Sequence, residues 1–309
     1  MAELPSPQPA PGTAVVRMHA IGVNFADIYR RRGDYHIDGK APYILGYEGA
    51  GVIEKIDANG VAPELAGRFA VGTRVGFADV PRANAELVCA PLDKLIPLPT
   101  AISFETAAAV LLQGLTAEYL VRDSHRVRAG ETVLVHAAAG GVGQLLVQLA
   151  KLMGGRVLAL ASSADKRAAA AAVGADEVAG YEEWVAAAQR FAPGGVDVVY
   201  DSIGATLDDS LRAARTGGHV VFFGMAGGNP RPVDPRLLMD QSKSLTGGDL
   251  WNVLTSHAER VRRAGDLFGW LEEGRLRLQI AQRFGLAEGA EAHRLLEGRS
   301  VIGKLILTV

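Results

Sequence analysis

The chain has 309 residues, 49% of them hydrophobic, with a formal net charge of −2 and a sequence pI near 6.4. That length allows two domains with cores of their own, and the apolar fraction excludes a disordered chain. The near-neutral charge argues against a general nucleic-acid or membrane-surface binder, and no apolar run reaches the length of a membrane span.

A single cysteine, Cys89, excludes a disulfide framework and a cysteine-based zinc cluster. Such a count suits a reducing, cytoplasmic compartment. The proline-rich start, MAELPSPQPAPG, has neither the basic nor the apolar region of a secretory signal. From Thr13 to about Leu98 the chain reads as short strands broken by glycine and proline: AVVRMHA (14–20), GAGVIEKI (49–56), GTRVGF (72–77) and ELVCAP (86–91). Cys89, with apolar neighbours, reads as a buried strand thiol. At about Ser103 the texture changes. FETAAAVLLQGLTAEYLV (104–121) is a helix with Ser103 as N-cap and Glu105 in its first turn.

Strands and helices then alternate. TVLVHA (132–137) precedes helix GQLLVQLAKLM (143–153), and RVLALA (156–161) precedes helix ADKRAAAAAV (164–173). VDVVYDS (196–202) and HVVFFG (219–224) are strands with helical LDDSLRAA (207–214) between them. Alternation of this length implies a parallel sheet with helices on both faces. Beyond about Leu245 come a helix, HAERVRRAGDLFGWLEEG (257–274), and a closing strand, GKLILTV (303–309). The expected fold is α/β: a Rossmann-type doubly wound parallel sheet over 103–244, inserted into a β-rich domain made of 1–102 and 245–309.

The stretch HAAAGGVGQLLVQLAK (136–151) places a glycine bend between a strand and a helix, the context in which a dinucleotide fingerprint has meaning. The three G-x-G-x-x-G positions are Ala138, Gly140 and Gly143, so the first is not glycine. Gly140 would let the backbone approach a pyrophosphate, and Gly143 would let helix pack on strand. The amides opening the helix would face the phosphates. A plain strand–helix turn without ligand is the alternative. An NAD site places a carboxylate near the end of the next strand. Here that strand ends with Ser162 and Ser163 and leads into Lys166 and Arg167, a pattern that favours the 2′-phosphate of NADP(H) over two merely solvated cations. The seven histidines form neither HxxxH nor HExxH, and none neighbours Cys89, so no metal is expected. Hydride delivery to an electron-poor acceptor such as a quinone or conjugated enone needs less help from a Lewis acid than alcohol oxidation does.

GVNFADIYRRRGDY, PYILGYEGAGVI, AISFETAAAVLLQGLTAEYL, AAAGGVGQLLVQLAK, VVYDSIG and GKLILTV occur in the order of a known family. They resemble the zinc-independent medium-chain dehydrogenase/reductases, closest to the NADPH:quinone oxidoreductases of zeta-crystallin type. Zinc-using relatives carry a cysteine where this chain has Asn24 and a histidine where it has Tyr47. The resemblance implies a GroES-like catalytic domain, a Rossmann domain, NADPH as cofactor and a homodimer. It also implies site residues. Asn24, Tyr29 and Thr116 would line the nicotinamide side, with Tyr35 near the acceptor. Gly140, Gly141, Val142 and Gly143 would form the pyrophosphate turn. Ser162, Ser163, Lys166 and Tyr181 would serve the adenosine 2′-phosphate. Ser202, Phe223, Gly224 and Met225 would cover the cofactor, and Gly248, Asp249, Leu250 and Arg299 would complete the site.

Each residue also has a plain structural reading. Asn24 would be a turn residue, Tyr29 and Tyr35 core aromatics, and Tyr181 the cap of a strand. Asp27 and Glu48 are expected to make structural hydrogen bonds rather than act as acids. Relatives begin with a further β-hairpin, so the catalytic domain is expected to lack those strands and to expose a sheet edge. The implied activity is reduction of a quinone or related conjugated carbonyl. The rivals are an enoyl or 2-alkenal reductase, and a non-catalytic NADPH-binding protein of structural or RNA-associated role.

Overall fold

The computed structural model describes residues 2–35 and 44–309. In chain order its elements are β1 Thr13–Val23, α1 Phe25–Arg32, β2 Gly49–Asp57, α2 Pro63–Ala66, β3 Arg74–Phe77, β4 Leu87–Pro91, β5 Ile96–Pro97 and α3 Phe104–Tyr119. Next come β6 Thr132–Val135, α4 Gly141–Leu152, β7 Arg156–Leu160, α5 Ala164–Ala172, β8 Glu177–Ala179, α6 Trp184–Phe191, β9 Val196–Asp201, α7 Leu207–Ala213 and β10 Ala214–Phe222. The last are α8 Pro235–Asp240, β11 Ser244–Gly247, α9 His257–Glu272, β12 Ile280–Gly285, α10 Gly289–Glu297 and β13 Lys304–Thr308.

The chain divides into two units. One comprises the residues up to Leu115 with Leu254–Gly274 and Leu278–Val309; the other is Thr116–Val253 with Arg275–Arg277. The first division therefore falls inside α3 and not at the change of texture near 102. The N-terminal part of α3 packs on the strand-rich unit, where a Cβ at Gly76 would lie 2.6 Å from Leu111.

The strand-rich unit is built on β1, an eleven-residue strand that takes partners on both sides. Its Thr13–Arg17 half pairs with β4, its Ala20–Val23 half pairs with β13, and β2 runs antiparallel along the opposite edge. The strand order is β12-β13-β1-β2-β3-β5, with β4 on β1. Period-two alternation directs Val16, Met18, Ile53, Val88 and Leu305 into one core. The same alternation turns Cys89 away from that core. It is half-buried, with Sγ 3.3 Å from Thr13 Oγ1, which corrects the expectation of a buried thiol.

The other unit holds six strands, all parallel, in the order β11-β10-β9-β6-β7-β8. This is the doubly wound Rossmann order, with the reversal of winding between β6 and β9. The central strands carry apolar runs, Val133–Val135 in β6 and Val198–Val199 in β9, as strands covered on both faces require. Leu134, Leu158, Val199 and Val220 form a core with Trp184 and Phe191 of α6. Ser163 caps α5 by accepting the Lys166 amide at 3.3 Å. The α/β architecture is that expected from the sequence.

Candidate active site

The C-terminal edge of the parallel sheet gathers most of the residues singled out in the sequence. Gly140–Gly143 follow β6, Ser162 and Ser163 follow β7, Tyr181 follows β8 and Ser202 follows β9. Phe223–Met225 follow β10, and Gly248–Leu250 follow β11. Ligands of open α/β sheets bind along this edge, beside the reversal of winding.

Elementary geometry explains the glycine turn. A Cβ on Gly143 would stand 2.3 Å from the Ala137 carbonyl oxygen and 2.7 Å from Ala138 Cα, so only glycine permits this approach of helix to turn. Gly140 is the N-cap of α4 and offers no side chain to the first helical amides. The first bond of the helix is Gln144 N–H to the Gly140 carbonyl at 2.9 Å. The amides of Gly141, Val142 and Gly143 therefore have no acceptor within the helix; Gly141 and Val142 are partly exposed and Gly143 is buried, at the end where the helix dipole is positive. That cradle fits a diphosphate. The turn is held from below by Ala138 N–H to the Leu160 carbonyl and His136 N–H to the Tyr200 carbonyl. Ala137 has φ of +47°, a left-handed conformation uncommon for alanine.

At the tip of β7, Ser162 and Ser163 are exposed, and Lys166 and Arg167 are partly exposed in the first turn of α5. Arg167 Nη1 reaches back to the Ala161 carbonyl at 3.5 Å. No carboxylate ends this strand, so the donor set suits an added phosphate better than a ribose diol.

The loop after β9 is organised by Asp201. Its carboxylate accepts from Ile203 N at 2.8 Å, Gly204 N at 3.1 Å, Thr206 Oγ1 at 2.8 Å and Ser210 Oγ at 2.7 Å. Gly204 has φ of +82° and lies so close to the Gly228 carbonyl that a Cβ would clash. Ala226 N–H donates to the Ser202 carbonyl and Gly248 N–H to the Phe222 carbonyl, which ties the three loops after β9, β10 and β11 into one rim.

In the strand-rich unit, Asn24 is the N-cap of α1 and lies at the centre of a buried polar hub. Its Oδ1 accepts from Lys304 Nζ at 2.7 Å and Gln113 Nε2 at 3.3 Å. Its Nδ2 donates to Glu48 Oε2 at 2.9 Å and the Gly22 carbonyl at 3.3 Å. All four bonding positions of the carboxamide are thus filled within the protein, which fixes its orientation at the centre of the hub. Glu48 also forms a 2.6 Å ion pair with Lys304 and accepts the Leu112 amide at 2.6 Å. Asp27 accepts Asn24 N–H at 3.0 Å, and burial pushes its carboxyl up to about 6. Asp27 and Glu48 make the structural hydrogen bonds expected of them.

Tyr29 and Tyr35 meet edge to face at 6.2 Å, both partly exposed. The guanidinium of Arg30 lies 5.3 Å from the Tyr35 ring centroid and 3.0 Å from that of Tyr47. Thr116 is partly buried in α3, and Arg299, after α10, is exposed with φ of +53°.

The hub residues Lys304 and Gln113, the buried Arg30, and the His136–Ser210–Asp201 cluster were not singled out from the sequence as a site. One signal was available: a lysine opening the apolar run LILTV, and an arginine on the inward face of α1, both need partners when buried. Which partners they find is not a local property of the sequence.

The residues do not fit a catalytic zinc. At Asn24 and Tyr47, the positions where the family resemblance implies ligands in zinc-using relatives, the chain has a carboxamide already saturated by hydrogen bonds and a phenol. Among the described residues no group of three or more His, Cys, Asp or Glu is placed to hold a metal ion.

Residues 10–129 match the family model "Alcohol dehydrogenase GroES-like domain", and residues 141–264 match "Zinc-binding dehydrogenase". A quinone oxidoreductase of Pseudomonas aeruginosa is 40% identical, over 97% of this chain and 92% of that protein. A 2-haloacrylate reductase of a Burkholderia species is 35% identical, over 97% and 91%. The Escherichia coli quinone oxidoreductase complexed with NADPH superposes with a TM-score of 0.94 at 33% identity, covering 100% of this chain and 95% of that one.

Proposed function

Since this chain belongs to the quinone oxidoreductases of the medium-chain dehydrogenase/reductase family, we propose that it is an NADPH-dependent reductase of quinones that works without zinc. The observation that carries the reading is the glycine turn, whose free amides and close helix approach make a diphosphate cradle, with the serine–lysine set one strand away.

Bound NADPH supplies a hydride from C4 of its nicotinamide ring. The protein binds and orients. The amides of Gly141, Val142 and Gly143 hold the diphosphate, while Ser162, Ser163 and Lys166 receive the 2′-phosphate. The rim of Ser202, Phe223, Gly224, Met225, Gly248, Asp249 and Leu250 covers the coenzyme. Thr116 serves the nicotinamide side, and Arg299 completes the site. Tyr29 and Tyr35 line the acceptor side, and a tyrosine hydroxyl or solvent gives the proton that completes the hydroquinone. Positioning of two bound reactants supplies most of the rate. The chain is proposed to act as a homodimer in the cytoplasm, the state and compartment that the family resemblance and the single cysteine favour.

Reduction of a conjugated C=C bond is the second reading, supported by the relative named for 2-haloacrylate. Steady-state oxidation of NADPH with 1,4-benzoquinone, 9,10-phenanthrenequinone, 2-alkenals and crotonyl thioesters separates the two. Quinones are expected to give the higher kcat/KM. Faster turnover of alkenals or thioesters overturns the assignment in favour of the second reading.

A further inference from the structure

We propose that Tyr181 is a positioning residue of the glycine turn, acting through the backbone of Ala137 and not through the adenosine phosphate; the inference rests on the NADPH reading above. The Tyr181 hydroxyl accepts the Ala137 amide at 2.9 Å. Ala137 is the turn residue held at φ of +47°, and its carbonyl accepts Gly140 N–H at 2.9 Å. A single phenol oxygen thus satisfies the amide of the residue on which the turn reverses.

What holds the phenol in place is buried and directional. Tyr181 stacks on the His136 ring at 5.7 Å and 24°, and that ring meets Trp184 edge-on at 4.9 Å. His136 Nε2 lies 3.1 Å from Ser210 Oγ, which in turn lies 2.7 Å from Asp201 Oδ2. The proton positions are fixed by counting donors and acceptors. Asp201 takes four donors and is an acceptor only, so the one hydroxyl hydrogen of Ser210 goes to Asp201. Ser210 Oγ must then accept, so His136 carries a hydrogen on Nε2, and burial, which lowers its pKa, keeps the ring neutral.

His136, Ser210 and Asp201 are all fully buried. They join the loop of Ser202–Gly204 to the glycine turn, two parts of one coenzyme site that are distant in sequence. Asp201 fixes the first by accepting the Ile203 and Gly204 amides, and it fixes the second through Ser210, His136 and Tyr181. A shift of the phenol moves the amide of Ala137 and with it the diphosphate amides, which are common to NADPH and NADH.

Coenzyme titrations by fluorescence quenching test this, with NADPH and NADH run on wild type and on Tyr181→Phe. Loss of the acceptor for a partly buried amide is expected to weaken both coenzymes by a common factor of about ten. The NADPH-to-NADH ratio stays within twofold of wild type, and in steady state most of the loss appears in coenzyme KM rather than kcat. Ser210→Ala, which touches neither turn nor phosphate, is expected to shift both coenzymes in the same sense by a smaller factor, and reads the relay even where Tyr181→Phe folds poorly. Loss confined to NADPH in Tyr181→Phe places the phenol on the 2′-phosphate and overturns the inference. Unchanged affinity for both coenzymes overturns it too. Wild type that binds neither coenzyme refutes the underlying reading instead.

Discussion

Replacing Lys304 by methionine removes one half of a deeply buried ion pair. Lys304 and Glu48 have side-chain exposures of 3% and 0%, and their charged atoms are 2.6 Å apart. The carboxylate left behind keeps its bonds from the Asn24 amide and the Leu112 amide but loses its only cation among the described contacts. Breaking a buried pair from one side costs about 3–5 kcal/mol, because an uncompensated charge remains in a medium that solvates it poorly. A unit of this size shifts its melting temperature by about 2–4 °C per kcal/mol, so a fall of roughly 6–20 °C is expected. Removing both charges, as Glu48→Gln with Lys304→Met, should restore half or more of that loss, since neutral partners need no compensation. Urea unfolding and calorimetry of the two singles and the double provide the cycle. A Lys304→Met loss below about 1 kcal/mol, or a double variant less stable than either single, refutes the reasoning that charge compensation holds the hub together.

Two buried groups give opposite acid responses. The pKa of Asp27 lies near 6, above its unfolded value, so its contribution becomes more favourable as pH falls from about 6 to 4. Burial lowers His136 to about 4, so its contribution is fully present above about pH 6.5 and is lost as pH falls toward 4. Each spans about two pK units or more, roughly 3 kcal/mol, and in wild type they largely cancel. Asp27→Asn should uncover the histidine slope, measured as a steeper loss of unfolding free energy between pH 6.5 and 4; an unchanged profile contradicts the raised pKa of Asp27. Lys166→Ala should weaken NADPH by at least tenfold and NADH by less than twofold, because one charge-assisted bond to phosphate is worth about 1.5–3 kcal/mol. Equal losses would remove that lysine from the phosphate site. Gly143→Val brings a side chain within 2.3 Å of the Ala137 carbonyl, and coenzyme affinity should fall together with thermal stability. Retained affinity would count against the turn as the diphosphate cradle.

Much of the fold was legible because its signals are local. The strands β1, β2, β6, β7, β9 and β10 carry period-two or largely apolar runs, whereas the three-residue β8 carries neither. Helix α1 leaves no clear apolar period, since its eight residues, Phe25–Arg32 after the Asn24 cap, present both Asp27 and Arg30 inward. Helix α10 starts at Gly289 after a glutamate, without a capping hydroxyl, and α6 is short and alanine-rich. The division inside α3 left no mark, because Ala107–Leu112 are buried all round and share one texture with the second half of that helix.

The site divides along the same line. The glycine turn and the serine–lysine strand end are contiguous motifs, and the structure sets them side by side on adjacent parallel strands. Long-range partners were out of reach. Glu48 and Lys304 are 256 positions apart, His136 and Ser210 are 74 apart, and nothing in either stretch names the other. Asn24 shows the limit most plainly. Its residue type suits a donor to a nicotinamide, but the number of bonds it already makes is set by its own turn and by groups from three distant segments.

The most direct measurement is a crystal structure of the protein with NADPH. The diphosphate should lie on the amides of Gly141, Val142 and Gly143, with the 2′-phosphate between Ser163 and Lys166 and the Tyr181 hydroxyl still accepting from Ala137. A coenzyme lying elsewhere on the sheet edge, or a turn closed by its own side chains in the presence of saturating NADPH, would contradict it.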